Sequence, residues 1–179
     1  MEALLSFSRG IDAVSRKLGQ FADYLVLLCS LISAGNAIVR YLFSYSSNGW
    51  LEIQWYMFAA IVLLGASYTL KMNEHVRVDL FYGSVSDRTR LFIDIFGIIF
   101  FLLPVTAYFA WACWPFFYGS YLEGEMSPNA SGLIRWPVKL VLVIGFAFLF
   151  LQGVSELIKR LAALFGKVAI DTKYEKPLQ

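Results

Sequence analysis

The chain has 179 residues, of which 59% are hydrophobic and 16% charged, with a mean hydropathy of +0.63. A soluble domain of that size could not cover so much apolar surface with so few charges, which leaves an integral membrane protein. A net charge of +2 is too small to point to nucleic acid, and a single histidine excludes a haem held between two histidines.

From the N-terminus, Leu4, Phe7, Ile11, Val14, Leu18 and Phe21 recur at steps of three and four, one apolar stripe of a helix. Arg9, Asp12, Arg16 and Lys17 lie off that stripe. With no apolar core before Phe21 and no small-residue cleavage site, the segment does not read as a signal peptide. An amphipathic helix in the headgroup plane, stripe down, is the expectation; packing on a protein neighbour is the alternative.

The first span covers about residues 21–43. Ser30, Ser33, Ala34 and Ala37 place small side chains at helical spacing, which suits close approach of another helix. The polar turn SYSSNG then returns the chain antiparallel into a second span over about 50–70. That puts Arg40 and Glu52 at similar depth, and the two are expected to meet each other or to share a polar contact with another subunit. From Met57 to Leu70 there is no charge at all. The run is long enough to cross a hydrocarbon core, which takes about 20 apolar residues.

A polar knot follows, with Lys71, Asn73, Glu74, His75, Arg77 and Asp79. His75 reads as a histidine at a membrane surface, with a proton relay as the alternative. Ser84, Asp87 and Thr89 offer caps for the next helix. The third span covers about 90–118, with a kink expected at Pro104. Trp111, Trp114, Tyr118 and Tyr121 gather at its far end like an interfacial aromatic belt. The long connection after it carries Glu123, Glu125 and Arg135 among turn formers, and Asn129-Ala-Ser131 fits a weak glycosylation pattern. Pro137 suits the first turn of a fourth span over about 137–158. The apolar pattern runs past Lys159 and Arg160 to Phe165, with Gly166 as a stop. Residues 167–179 read as a polar cytoplasmic tail. Cys29 and Cys113 sit alone in apolar stretches and read as inert packing groups.

The fold class is therefore an all-α membrane protein with four transmembrane helices and an N-terminal amphipathic interfacial helix. Its parts are the interfacial helix 1–20, the transmembrane domain 21–166 and the tail 167–179. Basic residues concentrate in the N-terminal segment, the 71–90 loop and the C-terminal end, and such regions stay inside. Both termini are thus expected on the cytoplasmic side of the membrane. No motif for nucleophilic, metal or phosphate chemistry appears, so an enzyme is not expected. Charges inside the spans sit near their ends and the middles are plain, unlike a translocation path.

The chain resembles the small membrane subunit, DctQ-like, of tripartite ATP-independent periplasmic (TRAP) transporters. Trp50 and Glu52 opening the second span, Gly65-Ala66 near its end and His75-Val-Arg-Val-Asp79 after it carry the resemblance. One departure is Ile53 directly after Glu52, where many members carry a second acid. The resemblance implies two protein partners, a large membrane subunit and a soluble periplasmic substrate-binding protein. The large subunit would move an organic acid on a sodium gradient, with this chain as its scaffold. Sodium and substrate would sit on the large subunit, with no cofactor here. Arg40, Glu52 and Trp55 would then fix the outer helix ends. His75, Arg77 and Asp79 would fix the inner turn, while Glu123, Glu125 and Arg135 would face the binding protein. An oligomeric channel of this chain alone, or a membrane redox subunit, are the rival readings.

Overall fold

The computed structural model describes residues 2–75, 85–130 and 132–166. It consists of helices α1 (Glu2–Phe43), α2 (Asn48–Met72), α3 (Asp87–Gly97), a π-helical turn (Ile98–Leu102), α4 (Leu103–Glu123) and α5 (Trp136–Leu164). The segments Glu2–Phe43, Asn48–Met72, Asp87–Glu123 and Trp136–Leu164 are each long and apolar enough to cross a membrane. Two ends of the bundle can be distinguished. The loop end carries the turn at 44–47 and the connection after α4; the terminus end carries the start of α1 and the end of α5.

Local chemistry sets the helix limits. Ser47 caps α2 by accepting from the Gly49 N–H at 3.3 Å, and Asn73 closes α2 in the left-handed conformation, φ 60°. Ser86 caps α3, its hydroxyl accepting from the Thr89 N–H at 3.3 Å; Ser84, the cap expected from sequence, lies outside the described residues. Gly124, φ 59°, stops α4, and Gly166, φ 67°, follows the end of α5.

The irregularity expected at Pro104 is a widened turn. Proline lacks the N–H that would bond the carbonyl four residues back, and its ring crowds that carbonyl. Just before it, the Leu103 N–H bonds the Ile98 carbonyl five residues back, which defines the π turn. The Thr106 hydroxyl donates to the Leu102 carbonyl at 2.6 Å. The helix then continues through Pro115 to Glu123.

The assembly has a hub. α5 packs against α1, α2 and the third span, whereas the third span leans chiefly on α5. Glycines set the close approaches. A Cβ on Gly145 would lie 2.7 Å from the Leu63 Cβ and 3.0 Å from the Leu63 carbonyl oxygen, which joins α5 to α2. A Cβ on Gly153 would lie 3.0 Å from Leu103, where the π turn nests on α5. Because Gly145 faces backbone, Gly145→Ala is expected to destabilise the chain by about 1–3 kcal/mol, the scale of overpacking a filled core. Thermal melting in mild detergent reads the effect.

α1 runs unbroken for 42 residues, so residue 20 is not a helix end. Its buried face is Ser8, Ile11, Ser15, Gly19 and Ala22. Most of the expected apolar stripe, Leu4, Phe7, Val14 and Phe21, stays exposed. Beyond Ala22 no residue of α1 is buried, and Ser30, Ser33, Ala34 and Ala37 face outward. Those small side chains therefore do not make the contact with α2.

Candidate functional site

At the loop end, Glu52 sits just past the first turn of α2, whose N-cap is Ser47. It is 3% exposed. The connection after α4 folds over it as a short hairpin. The Ser127 N–H bonds the Leu133 carbonyl and the Arg135 N–H bonds the Glu125 carbonyl, each at 2.9 Å, with Met126 opposite Ile134. The hairpin aims three donors at one carboxylate. Glu52 Oε1 accepts from Asn129 Nδ2 at 2.7 Å and from the Ser127 hydroxyl. Oε2 accepts from the Leu133 backbone N–H at 2.7 Å. A buried charge is tolerated when hydrogen bonds replace its water in this way. Gly132 is obligatory, since a Cβ there would lie 2.6 Å from the Ser127 Cβ.

The expected Arg40–Glu52 pair is thus corrected. Glu52 takes its partners from a loop 75 to 81 residues further along the chain, and Arg40 is exposed. Equal depth does not bring two side chains together when they point to different faces.

A second carboxylate locks the base of the same hairpin. Glu125 pairs with Lys139 on the first turn of α5 and with Arg135 at 3.3 Å. The Lys139 ammonium also lies 3.9 Å from the Phe116 ring centre. Chiefly Lys139, with Arg135, holds the Glu125 carboxyl at about 2, below its ordinary 4.5. A carboxylate with a lowered folded value stabilises above its unfolded value, and that contribution fades as pH falls towards the folded one. The latch is therefore expected to hold at pH 4 and to open only as pH approaches about 2. A carboxyl carbon NMR titration checks this: a Glu125 midpoint at or above 4.5 would contradict it, and Lys139→Met should raise the midpoint.

At the terminus end, a polar seam joins three elements. On α5, Gln152, Ser155, Glu156, Lys159 and Arg160 share one face. On α1, Ser8, Asp12 and Ser15 meet it. The Ser15 hydroxyl donates to Gln152 Oε1 at 2.7 Å, and Gln152 Nε2 donates to Asp12 at 2.9 Å and to Glu156 at 3.0 Å. The Ser8 and Ser155 hydroxyls are 2.7 Å apart, and Ser155 also donates to Asp12 at 3.1 Å. Lys159 bridges Asp12, at 3.2 Å, to Glu156. Arg160 bridges Glu156 to Asp94 on α3, at 3.0 Å. Each carboxylate of the seam thus meets a cation, and each serine a partner. None of these joints was singled out from the sequence.

The other residues named from sequence fall elsewhere. Trp55 is 64% exposed on α2, and His75 is exposed just beyond the α2 cap. Arg77 and Asp79 lie outside the described residues. Glu123, at the end of α4, is exposed, whereas Glu125 and Arg135 are engaged with each other. Ser131 of the glycosylation pattern lies outside the described residues, and Asn129 is held by Glu52.

The family model for tripartite ATP-independent periplasmic transporters, DctQ component, matches residues 28–163. The chain belongs to the DctQ family. The match includes Glu52, its hairpin and the α5 side of the polar seam, but not Ser8, Asp12 or Ser15. The C4-dicarboxylate TRAP transporter small permease protein DctQ of Vibrio cholerae serotype O1 (strain ATCC 39315 / El Tor Inaba N16961) is 33% identical over 82 residues. That alignment covers 41% of this chain and 35% of the relative, so the match spans about a third of the relative's length. No solved structure matches the chain. Family and apolar helices together make this DctQ-family chain a multi-pass protein of the bacterial inner membrane.

Proposed function

We propose that this chain is the small membrane subunit of a TRAP transporter. In this reading it braces a larger membrane subunit during sodium-driven, binding-protein-dependent uptake of an organic acid. The observation that carries the reading is where the charges go. Glu52 and Glu125 fasten the loop at one end, and Asp12, Asp94, Glu156, Lys159 and Arg160 fasten helices at the other. The α2 stretch between Met57 and Leu70 carries none. Ionic groups placed at joints suit a brace, whereas a solute path needs ionisable groups facing a cavity at mid-depth.

The distribution of basic residues supports an orientation with both termini in the cytoplasm and the Glu52 hairpin in the periplasm. Arg40, Trp55 and His75 are then exposed side chains available to meet the large subunit; Arg77 and Asp79, outside the described residues, are assigned to the same contact from the sequence. Glu123 is the outward charge available to the binding protein. Glu125 and Arg135 act through the shape of the hairpin. The first turns of α1, whose apolar stripe is exposed, lie at the inner headgroups.

Co-purification tests the reading. The full chain, expressed with its neighbouring transport genes and extracted in mild detergent, is expected to carry a larger many-span membrane protein at a fixed ratio. Recovery of the chain alone, with the larger protein fully active in its absence, would overturn it.

A further inference from the structure

Near its inner end, the α1/α2 seam brings together two cations with no anion between them. The register is fixed by two contacts. A Cβ on Gly65 would lie 3.7 Å from Ala22 Cβ, and one on Gly19 would lie 2.5 Å from the Tyr68 ring. The helices are antiparallel, so three residues back along α1 answers three residues forward along α2. The next level in this series pairs Arg16 with Lys71. Their charges repel across the seam. Arg16 is exposed and Lys71 half-buried, with its ammonium 5.7 Å from the Tyr68 ring centre. Neither has a carboxylate within ion-pair distance among the described residues. Asp12 and Glu156 attract Lys71 from a distance while Lys159 repels it, but both carboxylates are already engaged, Asp12 by Lys159, Ser155 and Gln152, and Glu156 by Gln152, Lys159 and Arg160.

Depth identifies the missing anion. Lys71 lies 23 positions beyond Asn48 and Arg16 lies 27 positions before Phe43, roughly 35–40 Å along their axes at 1.5 Å per residue. A hydrocarbon core is about 30 Å thick, so both cations reach the headgroup layer at the terminus end. We propose that Arg16 and Lys71 form a binding site for the phosphate of an anionic phospholipid, seated at the terminus end of the α1/α2 seam. Arg16 offers a forked set of donors from the exposed side, and Lys71 a point charge from the seam. The acyl chains would run from Arg16 towards the core along the same side of α1, where Leu27 is exposed. The proposal rests on the membrane-spanning arrangement and not on which transporter the chain serves, so its failure leaves the proposed function standing.

The test uses the full chain in nanodiscs of mixed phosphatidylcholine and phosphatidylglycerol, with retained lipid read by native mass spectrometry. Phosphatidylglycerol is expected to be retained preferentially. Arg16→Gln and Lys71→Gln should each lower that preference about five-fold, the scale of one surface cation against an anionic lipid. Lys71→Glu sets opposite charges across the seam. It should abolish the preference while raising the melting midpoint in pure phosphatidylcholine, so lost lipid is not mistaken for lost fold. Equal retention of both lipids, or a preference unchanged in the variants, would overturn the proposal. So would equal protection of the wild-type chain by inorganic phosphate in phosphatidylcholine discs, which would assign the site to a free anion.

Discussion

Arg160→Ala is expected to be the most damaging single substitution, at about 3–5 kcal/mol, the cost of removing one partner from a buried ionic joint. Arg160 is 7% exposed and donates to Glu156 on its own helix and to Asp94 on α3. Its loss leaves a buried excess of negative charge, with Lys159 the one cation left among the described residues to pair Glu156 and Asp12. The damage should concentrate in the third span, because that span leans chiefly on α5 and the Asp94–Arg160 pair is an ionic tie between them. Arg160→Lys should recover only part of the loss, since a single ammonium cannot reproduce the fork. Thermal melting in mild detergent, with hydrogen exchange across α3, reads both effects. A variant within about 0.5 kcal/mol of the wild type, the range of an ordinary surface change, would contradict the role given to the seam.

Glu52→Ala is expected to release the hairpin from α2 without unfolding the helices. Three donors lose their acceptor together: the Ser127 hydroxyl, the Asn129 amide and the Leu133 N–H. The hairpin keeps its own backbone bonds, and Glu125 still ties its base to Lys139. It should therefore swing as a unit. Exchange of the Leu133 amide should quicken on the order of ten-fold or more, the worth of a charge-assisted hydrogen bond. Glu52→Gln should fall between, because its amide nitrogen cannot accept from Leu133. Uptake by the complete transporter should drop in Glu52→Ala while the amount of assembled complex holds. An unchanged Leu133 amide would show that the carboxylate does not hold the loop.

Much of the fold was legible because it is local. The polar turn at 44–49, the cap chemistry near Asp87, Pro104 and Gly166 all act within a few residues of themselves. The partners of Glu52 were not legible, because the sequence places Arg40 beside it in depth but says nothing of which way each faces. The deciding contact comes from a loop about half the chain away. The polar seam was missed for a different reason. Its signal is present: Gln152, Ser155, Glu156, Lys159 and Arg160 repeat at helical spacing, and Ser8, Asp12 and Ser15 do the same on α1. That pattern was masked by the stronger apolar stripe on the other side of α1. In a bilayer such a stripe can face lipid, and the face that packs on protein can be the small, polar one.

The most direct measurement is transport by reconstituted components. Proteoliposomes holding this chain alone, under an inward sodium gradient and supplied with binding protein and organic acids, are expected to take up no solute. Uptake should appear when the large membrane subunit is added. Sodium-dependent uptake by this chain without that companion would contradict the account, because its few ionic groups would then be lining a path and not closing joints.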